Sequence, residues 1–248
     1  MNLHVATYNI HKGFSQFNRR MVLHELRERL RETNADIVFL QEVQGQHALH
    51  ANRFTNWPLE PQYEFLADEV WQDYAYGRNS IYDHGHHGNA ILSRFRFLSF
   101  ENEDVSDHRY ERRGLLHCVV SVPGWRRNLH CVCVHLSLHE GGRNRQLEAI
   151  SGRLEELASR DLPIIIAGDF NDWRHRASAI LERRLGMTEV SIARHGRAAR
   201  TYPSVMPILR LDRIYVRGFK VAASSVHRGK PWSMLSDHLA VSAELVRA

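Results

Sequence analysis

No apolar stretch approaches the roughly 18 residues of a membrane-spanning helix; the longest apolar runs, such as residues 162–167, are strand-sized. A basic region followed by an apolar one is missing at the N-terminus, where an alternation starting at Leu3 already reads as a strand, so no signal peptide is expected. Cysteine occurs only at Cys118, Cys131 and Cys133, with no C-x-x-C spacing. All three lie in apolar, strand-like segments. That pattern points to buried reduced thiols in a cytoplasmic protein and against a thiolate zinc site. Neither G-x-x-x-x-G-K-[ST] nor H-E-x-x-H occurs, which excludes P-loop enzymes and one large class of zinc proteases. No Pro/Gly/Ser-rich linker divides the chain, so residues 1–248 read as a single domain.

What is present is a globular balance with two biases. The 248 residues are 43% hydrophobic and 25% charged, which excludes collagenous, low-complexity and largely disordered chains. The 33 basic residues are 30 Arg and only three Lys (Lys12, Lys220, Lys230), against 28 acidic residues, for a net charge of +5. A basic balance points to an anionic partner without naming it. Arg suits bidentate phosphate contacts better than Lys, although an Arg-rich genome produces the same bias. The second bias is 17 histidines, which are either surface residues or part of a site.

Periodicity organises the chain. Residues 3–10 read as a strand, residues 20–31 as an amphipathic helix with Val22, Leu23, Leu26 and Leu30 on one face, and residues 36–43 as a strand buried on both sides. Residues 46–56 read as a helix stopping before Pro58. The middle reads as strands at 63–66, 74–76, 89–92, 97–104, 114–122 and 129–136. Pro123-Gly124 joins the last two, with Trp125, Arg126 and Arg127 just beyond the turn. A helix at 143–159, with Leu147, Ile150, Leu154 and Leu157 on one face, precedes a buried strand at 163–167 and a short helix at 177–185. Strands at 211–216, 219–223 and 240–245 close the chain. The strand–helix–strand units at 3–43 and 129–168 predict two similar halves packed sheet on sheet, with helices outside.

Metal-capable and acid–base residues recur where these strands end. They are Asn9, Glu42, His135, Asp169 with Asn171, Asp212, and Asp237 with His238. Strand ends at one edge of a sheet stack can bring such groups together rigidly. Carboxylate oxygens suit a hard divalent ion such as Mg²⁺ or Mn²⁺, and histidines beside them suit proton transfer or charge stabilisation on a phosphoryl group.

The ordered segments are Thr7-Tyr8-Asn9-Ile10, Leu40-Gln41-Glu42-Val43, Gly88-Asn89-Ala90-Ile91-Leu92-Ser93, Val134-His135-Leu136, Gly168-Asp169-Phe170-Asn171, Leu211-Asp212-Arg213-Ile214 and Ser236-Asp237-His238. Together they resemble the motifs of the endonuclease/exonuclease/phosphatase superfamily, which includes DNase I, exonuclease III and neutral sphingomyelinase. Residues 7–20 and 63–94 also resemble its small bacterial YbhP-like branch. The resemblance runs from residue 7 to 238. It implies an α/β fold, a four-layer sandwich of two packed mixed β-sheets flanked by helices, and metal-dependent phosphoester hydrolysis.

Carried over by position, Glu42 is the expected principal ligand of Mg²⁺ or Mn²⁺, with Asn9 beside it and Asp237 as a ligand or its immediate neighbour. Asp169 is expected to bind or activate the attacking water, and Asn171 to orient a phosphate oxygen. His238 is expected as general base or phosphate stabiliser, with Asp212 holding its imidazole. His135 is expected against the phosphate, able to protonate the leaving group. Exonuclease III-like enzymes carry a different motif there, which sets this chain apart from the abasic-site endonucleases.

Further residues surround this set. His11 follows Asn9 by two residues, on the same side of an extended segment, and reads either as a supporting residue of the site or as a loop histidine. Asp83-His84-Gly85-His86-His87-Gly88 reads as a Gly-rich loop leading into Asn89, a candidate wall residue, with a zinc tract as the other reading. Arg143, Arg145, Arg174 and Arg176 follow the motifs closely, and Arg210 and Arg213 bracket Asp212; each is a candidate phosphate contact, although solvated or structurally paired arginines look the same in sequence. Trp173 could stack on a base or sugar or belong to the core, and Tyr202 lies in a candidate substrate-side loop.

Fold does not choose the substrate. The superfamily resemblance spans DNA, RNA, nucleotide tails, inositol phosphates and phospholipid head groups. Charge favours a nuclease or phosphodiesterase on nucleic acid. An alternative is a phospholipid or small phosphoester hydrolase, with the tip at Trp125-Arg126-Arg127 on an anionic membrane. A non-catalytic phosphate-binding module is the third reading, against which stands the cost of clustered carboxylates without a cation. A monomer is expected.

Overall fold

The computed structural model describes residues 2–47, 49, 53–54, 56–107, 111–174 and 176–248, with only the backbone of residue 158. Of the helix expected at 46–56, five residues lie outside the described residues, and Gln46 and His47 belong instead to the preceding strand. In chain order the strands are β1 (Asn2–Asn9), β2 (Ile37–His47), β3 (Asp73–Tyr82), β4 (Gly85–Ser93), β5 (Arg96–Asp104) and β6 (Gly114–Ser121). They continue with β7 (Leu129–His135), β8 (Ile164–Asp169), β9 (Thr188–Glu189), β10 (Asp212–Arg217), β11 (Phe219–Val226) and β12 (Val241–Arg247). The helices are α1 (Leu23–Glu32), α2 (Gln62–Ala67), α3 (Glu140–Ser159), α4 (Arg176–Leu185) and α5 (Val190–His195).

The strands form two six-stranded sheets, ordered β11-β12-β1-β2-β4-β3 and β5-β6-β7-β8-β10-β9. β1 and β2 run parallel across α1, and β7 and β8 run parallel across α3. Alternation assigns each face. Leu3, Val5, Ile37 and Phe39 meet Cys131, Cys133, Ile165, Ala167 and Ile214 in the core between the sheets. Ala6, Tyr8, Val38 and Leu40 turn outward to Leu23, Leu26 and Leu30 of α1 and to Phe65 and Leu66 of α2. Val132, Val134, Ile164 and Ile166 turn outward to Leu147, Ile150 and Leu154 of α3 and to Leu181 of α4. Three apolar layers thus separate four structural layers, the expected sandwich.

Some expectations fail locally. Residues 63–66, read as a strand, lie in helix α2. Pro61 is at its N-cap, and Phe65 packs under His24 and the Arg27 guanidinium, 4.3 Å from the ring centroid. A short apolar run carries no decisive period, so tertiary packing decides its state. Residues 83–88, read as a Gly-rich loop, are the β3–β4 turn and the start of β4. A Cβ on Gly88 would lie 1.8 Å from the Gly77 oxygen, so this glycine permits close strand approach rather than a loop. The zinc reading of the tract also gains no support. His86 bonds the Tyr76 hydroxyl, and the ligand cluster found among the described residues is elsewhere. Trp125, proposed as an exposed membrane contact, packs against Phe219 and under the Arg247 guanidinium. Strand β9 and helix α5 had no distinct sequence signal.

The outer face of β6 and β7 carries a buried imidazole pair, with His117 Nε2 3.0 Å from His130 Nδ1. Burial lowers the pKa of both rings, so both are neutral at pH 7. Glu101, 3.4 Å from His117 and ion-paired to Arg153, is the charged group alongside. Burial, reinforced by His117, pushes His130 down to about 4. Between the ordinary histidine value and about 4, the unfolded chain binds the extra proton, so stability falls as pH drops through that window. At pH 5 the loss is about 2 kcal/mol relative to pH 8 for this residue alone. Urea unfolding at both pH values should therefore show a larger acid loss for the parent than for His130→Gln; equal losses would refute the assignment.

Candidate active site

The strand alternation that buries the central core also sets the site. Asn9, His135, Asp169 and Asp212 have the same parity as the inward Val5, Cys133, Ala167 and Ile214 of their strands. Register aligns them, since His135 pairs with Asp169 in the parallel ladder and Asp169 with Asp212 in the antiparallel one. Glu42 requires an irregularity. The β2–β4 register shifts between Leu40 and Val43, and Glu42 adopts φ +56. That bulge turns its carboxylate toward the same end of the sandwich. Gly168 lets β7 and β8 close, because a Cβ there would lie 1.9 Å from the Val134 oxygen.

Charges are compensated group by group. Asp212 Oδ2 sits 2.8 Å from His238 Nδ1, and the other His238 nitrogen lies 3.8 Å from Asp169 Oδ2. Burial opposes charge on this imidazole, but Asp212 first and Asp169 second outweigh it and raise His238 to about 10. His238 is therefore an imidazolium bridging two buried carboxylates. Burial pushes Asp169 the other way, up to about 6, with His238 restraining the rise. Its Oδ1 accepts the Asn171 backbone N–H at 3.0 Å. His135 Nε2 lies 3.5 Å from Asp169 Oδ2, and burial together with Arg113 drives its pKa well down, so it is neutral.

Asn9 donates through Nδ2 to Glu42 at 3.3 Å and to Asp169 at 3.2 Å, while its oxygen accepts the His11 N–H. As placed, it bridges two carboxylates with its nitrogen. Burial works against ionisation of Glu42, but the cations beside it, Lys12 and His238 among them, hold the carboxyl below its ordinary value. Lys12 Nζ is 3.6 Å from Glu42. His11 Nδ1 lies 3.8 Å from Asp237. Ser236 Oγ donates to the Asn9 carbonyl at 2.7 Å, locking the 236–238 turn against β1.

These groups open into a pocket of about 390 Å³ whose wall includes Trp173, Tyr202, Lys12, Arg113 and His87. The family model described as "Endonuclease/Exonuclease/phosphatase family" matches residues 6–238. The chain belongs to this family. The uncharacterized protein YbhP of Escherichia coli strain K12 is 48% identical over 241 residues, covering 97% of this chain and 95% of that protein. The mannosyl-6-phosphatase of Bacteroides thetaiotaomicron VPI-5482 shares the fold at a TM-score of 0.74 and 18% identity, with coverage of 98% and 99%. TDP2 of D. rerio, solved with a single-strand DNA product, does so at 0.72 and 20%, with coverage of 99% of each chain.

Within this family chain, the structure gathers Glu42, His135, Asp169, Asn171, Trp173, Tyr202, Asp237 and His238 around one pocket. Asp212 and Asn9 lie directly behind it, as does His11. Asn89 stands in an adjoining recess beside Glu42 and His135, its amide donating to the Gly114 carbonyl at 2.9 Å. Five arginines proposed as phosphate contacts fall elsewhere. Arg143 is buried under Trp173, 4.6 Å from the ring centroid, and donates to the Ser137 and Leu138 carbonyls. Arg145 makes a bidentate pair with Asp107, and Arg174 pairs with Glu140 at 2.6 Å, where Arg176 joins it. Arg213 is fully buried on Asp172. Carboxylates distant in sequence capture all of these cations but Arg143, which no local pattern reveals. Conversely, Lys12, His87 and Arg113 line the pocket although none was singled out for it. Lys12 had one available signal, as one of three lysines and the one just past a catalytic strand.

The donor set suits a hard divalent cation. Its donors are carboxylate oxygens, and the contacts to Glu42 are long, at 3.3 and 3.6 Å. Buried Asp212 Oδ1 has no hydrogen-bond partner among the described residues. The tightest cluster, Asp169, Asp212 and His238, already holds its positive charge on the imidazolium. Glu42 and Asp237 are further carboxylates of the pocket lining.

Removing the Asp212 carboxylate should therefore expose the burial cost of charged His238. In chelator, Asp212→Asn should lower the His238 pKa by about 1–3 units, read by NMR titration. The stabilisation from the raised pKa is complete below the ordinary histidine value and disappears as pH rises through about 10. Asp212→Asn should flatten that alkaline limb in a denaturation series. An unchanged titration would disprove the bridge.

Proposed function

We propose that residues 1–248 form one catalytic domain of a divalent-metal-dependent phosphodiesterase acting on nucleic acid. The observation that carries this reading is the mixed charge of the pocket lining. Glu42, Asp169 and Asp237 line it together with Lys12, Arg113 and His238. A phosphate with a bound cation complements both charges, whereas either alone complements one. Glu42, Asp237 and Asn9, with its amide turned, would hold Mg²⁺ or Mn²⁺. The ion would supply Lewis-acid polarisation of a phosphoryl oxygen and charge neutralisation.

The chain's own groups divide the remaining work. Asp169, raised to about 6, accepts a proton from water as its oxygen attacks phosphorus. His238, held protonated by Asp212, donates a hydrogen bond to the developing negative charge and delivers its proton to the departing ester oxygen. One P–O bond forms and one breaks. Of the two roles anticipated from sequence for His238, general base or phosphate stabiliser, this reading takes the second and adds proton delivery. Neutral His135 serves as a fixed hydrogen-bond donor to the phosphoryl group, because its depressed pKa leaves it no proton to give at neutral pH. Asn171, whose amide is anchored on the Leu136 carbonyl at 2.9 Å, orients a second phosphoryl oxygen.

Nucleic acid is favoured by the net charge of +5 and by Trp173, which is 43% exposed with one ring face on Arg143. An exposed indole at the pocket mouth is a stacking surface for a base. The DNA product in the TDP2 relative is consistent with this choice. Trp125, the aromatic residue of the phospholipid reading, is half-buried against Phe219.

A panel of single- and double-stranded DNA, RNA, bis-p-nitrophenyl phosphate, monoesters and phospholipids, each with Mg²⁺ or Mn²⁺, tests the proposal. Diester hydrolysis should be metal-dependent, and Glu42→Ala, Asp169→Ala and His238→Ala should each reduce it at least about a hundredfold. Hydrolysis of nucleic acid should fall steeply with salt. Full activity in EDTA or in Asp169→Ala would overturn the mechanism, and exclusive monoester or lipid turnover would overturn the substrate.

A further inference from the structure

A second cleft, of about 680 Å³, opens beside the catalytic pocket between α5, the end of β11 and the segment leading into β10. Arg197, Arg200, Arg210 and Arg228 line it, and the lining contains no Asp or Glu among the described residues. Most surface arginines of this chain are used differently. Arg20, Arg29, Arg145, Arg153, Arg174 and Arg184 are each ion-paired to a carboxylate. The four in the cleft have no such partner among the described residues. Arg210 Nε donates to the Ala198 carbonyl and Arg228 Nη2 to the Arg200 carbonyl, so two of the guanidiniums are oriented by backbone while their charge stays uncompensated. Four clustered guanidiniums repel one another, and an anion relieves that repulsion.

The cleft and the catalytic pocket share a wall. Thr201 and Leu209 are joined by a 2.8 Å backbone bond, as are Leu209 and Tyr202. Arg200 and Arg210 face the cleft, whereas Tyr202, Leu209 and Leu211 line the catalytic pocket. Arg200 and Tyr202 are two residues apart, roughly 7 Å of extended chain.

We propose that this cleft is a second phosphate-binding site. It takes a phosphate or pyrophosphate group that is not the one hydrolysed. Planar guanidiniums around an acid-free cleft match multiply charged phosphate oxygens. The volume exceeds that of one phosphate and falls within the range of small-molecule sites, so the group belongs to a larger ligand. That ligand is either the substrate, carrying a second phosphate across the shared wall, or a separate phosphorylated molecule.

Calorimetry with inorganic pyrophosphate in EDTA and low salt tests this independently of catalysis, because without a cation the catalytic carboxylates repel the probe. The parent should bind about one equivalent. Arg197→Gln/Arg200→Gln should bind at least about tenfold more weakly. These two exposed side chains make no internal hydrogen bond among the described residues, so the variant should keep the parental melting temperature. Lys12→Gln, in the other pocket, should bind like the parent. No binding by the parent, undiminished binding by the double variant, or loss of binding in Lys12→Gln instead would overturn the proposal. Kinetics then separate the two ligand sources. A rise in KM in the double variant only for a dinucleotide bearing an extra 5′-phosphate identifies the substrate. Unchanged KM with lost pyrophosphate binding identifies a separate ligand. Failure of the nuclease reading would leave the calorimetric result intact.

Discussion

A β-strand alternates its side chains, and two sheets packed face to face must bury one parity from each. The strand-borne half of the site follows from that constraint. The residues inward of Asn9, His135, Asp169 and Asp212 are core residues between the sheets, so these four are the polar ends of apolar rows. Their positions are set by the packing of Val5, Cys133, Ala167 and Ile214 beneath them, to the tolerance of a close-packed core. Rigid placement of this kind is what electrostatic catalysis needs, because donors and acceptors are aligned before the substrate arrives.

Such placement carries an electrostatic cost, and the structure shows how it is met. Asp169 and Asp212 are buried side by side, and His238 between them acts as an internal cation. Glu42 and Asp237 stay nearer the pocket, with Lys12 and His11 alongside. The acidic groups therefore fall into two sets, one sharing an internal imidazolium and one nearer the pocket beside Lys12 and His11. The same accounting exposes the arginine cleft, where the charge has no partner of its own.

Fold and centre were legible in sequence to different depths for physical reasons. The buried strands and long helices carry strong periods, and the strand-end motifs sit at fixed positions relative to them, so β1, β2, β7, β8, α1 and α3 were recognisable. Helix α2 was not, because six residues hold less than two turns of pattern and Phe65 takes its conformation from Arg27 and His24. The peripheral arginines were misread because partners decide their roles. Arg145 lies 38 residues from Asp107, and Arg174 lies 34 from Glu140. Lys12, His87 and Arg113 went unnoticed because each comes from a different element and they converge only in the folded chain. Parity is local and therefore readable, whereas charge pairing is nonlocal.

The bulge at Glu42 has a consequence for how this chain can change length. Regular pairing on the N-terminal side of the bulge, from Ile37 to Leu40, keeps inward residues inward, and the extra residue then reorients the carboxylate. Removing one residue there would restore an even ladder and send the acidic side chain out of the pocket in the same event. Insertions and deletions are thus barred from the first half of β2. They are admissible at the solvent-facing turn between Tyr82 and Gly85, beyond the residues that set the count.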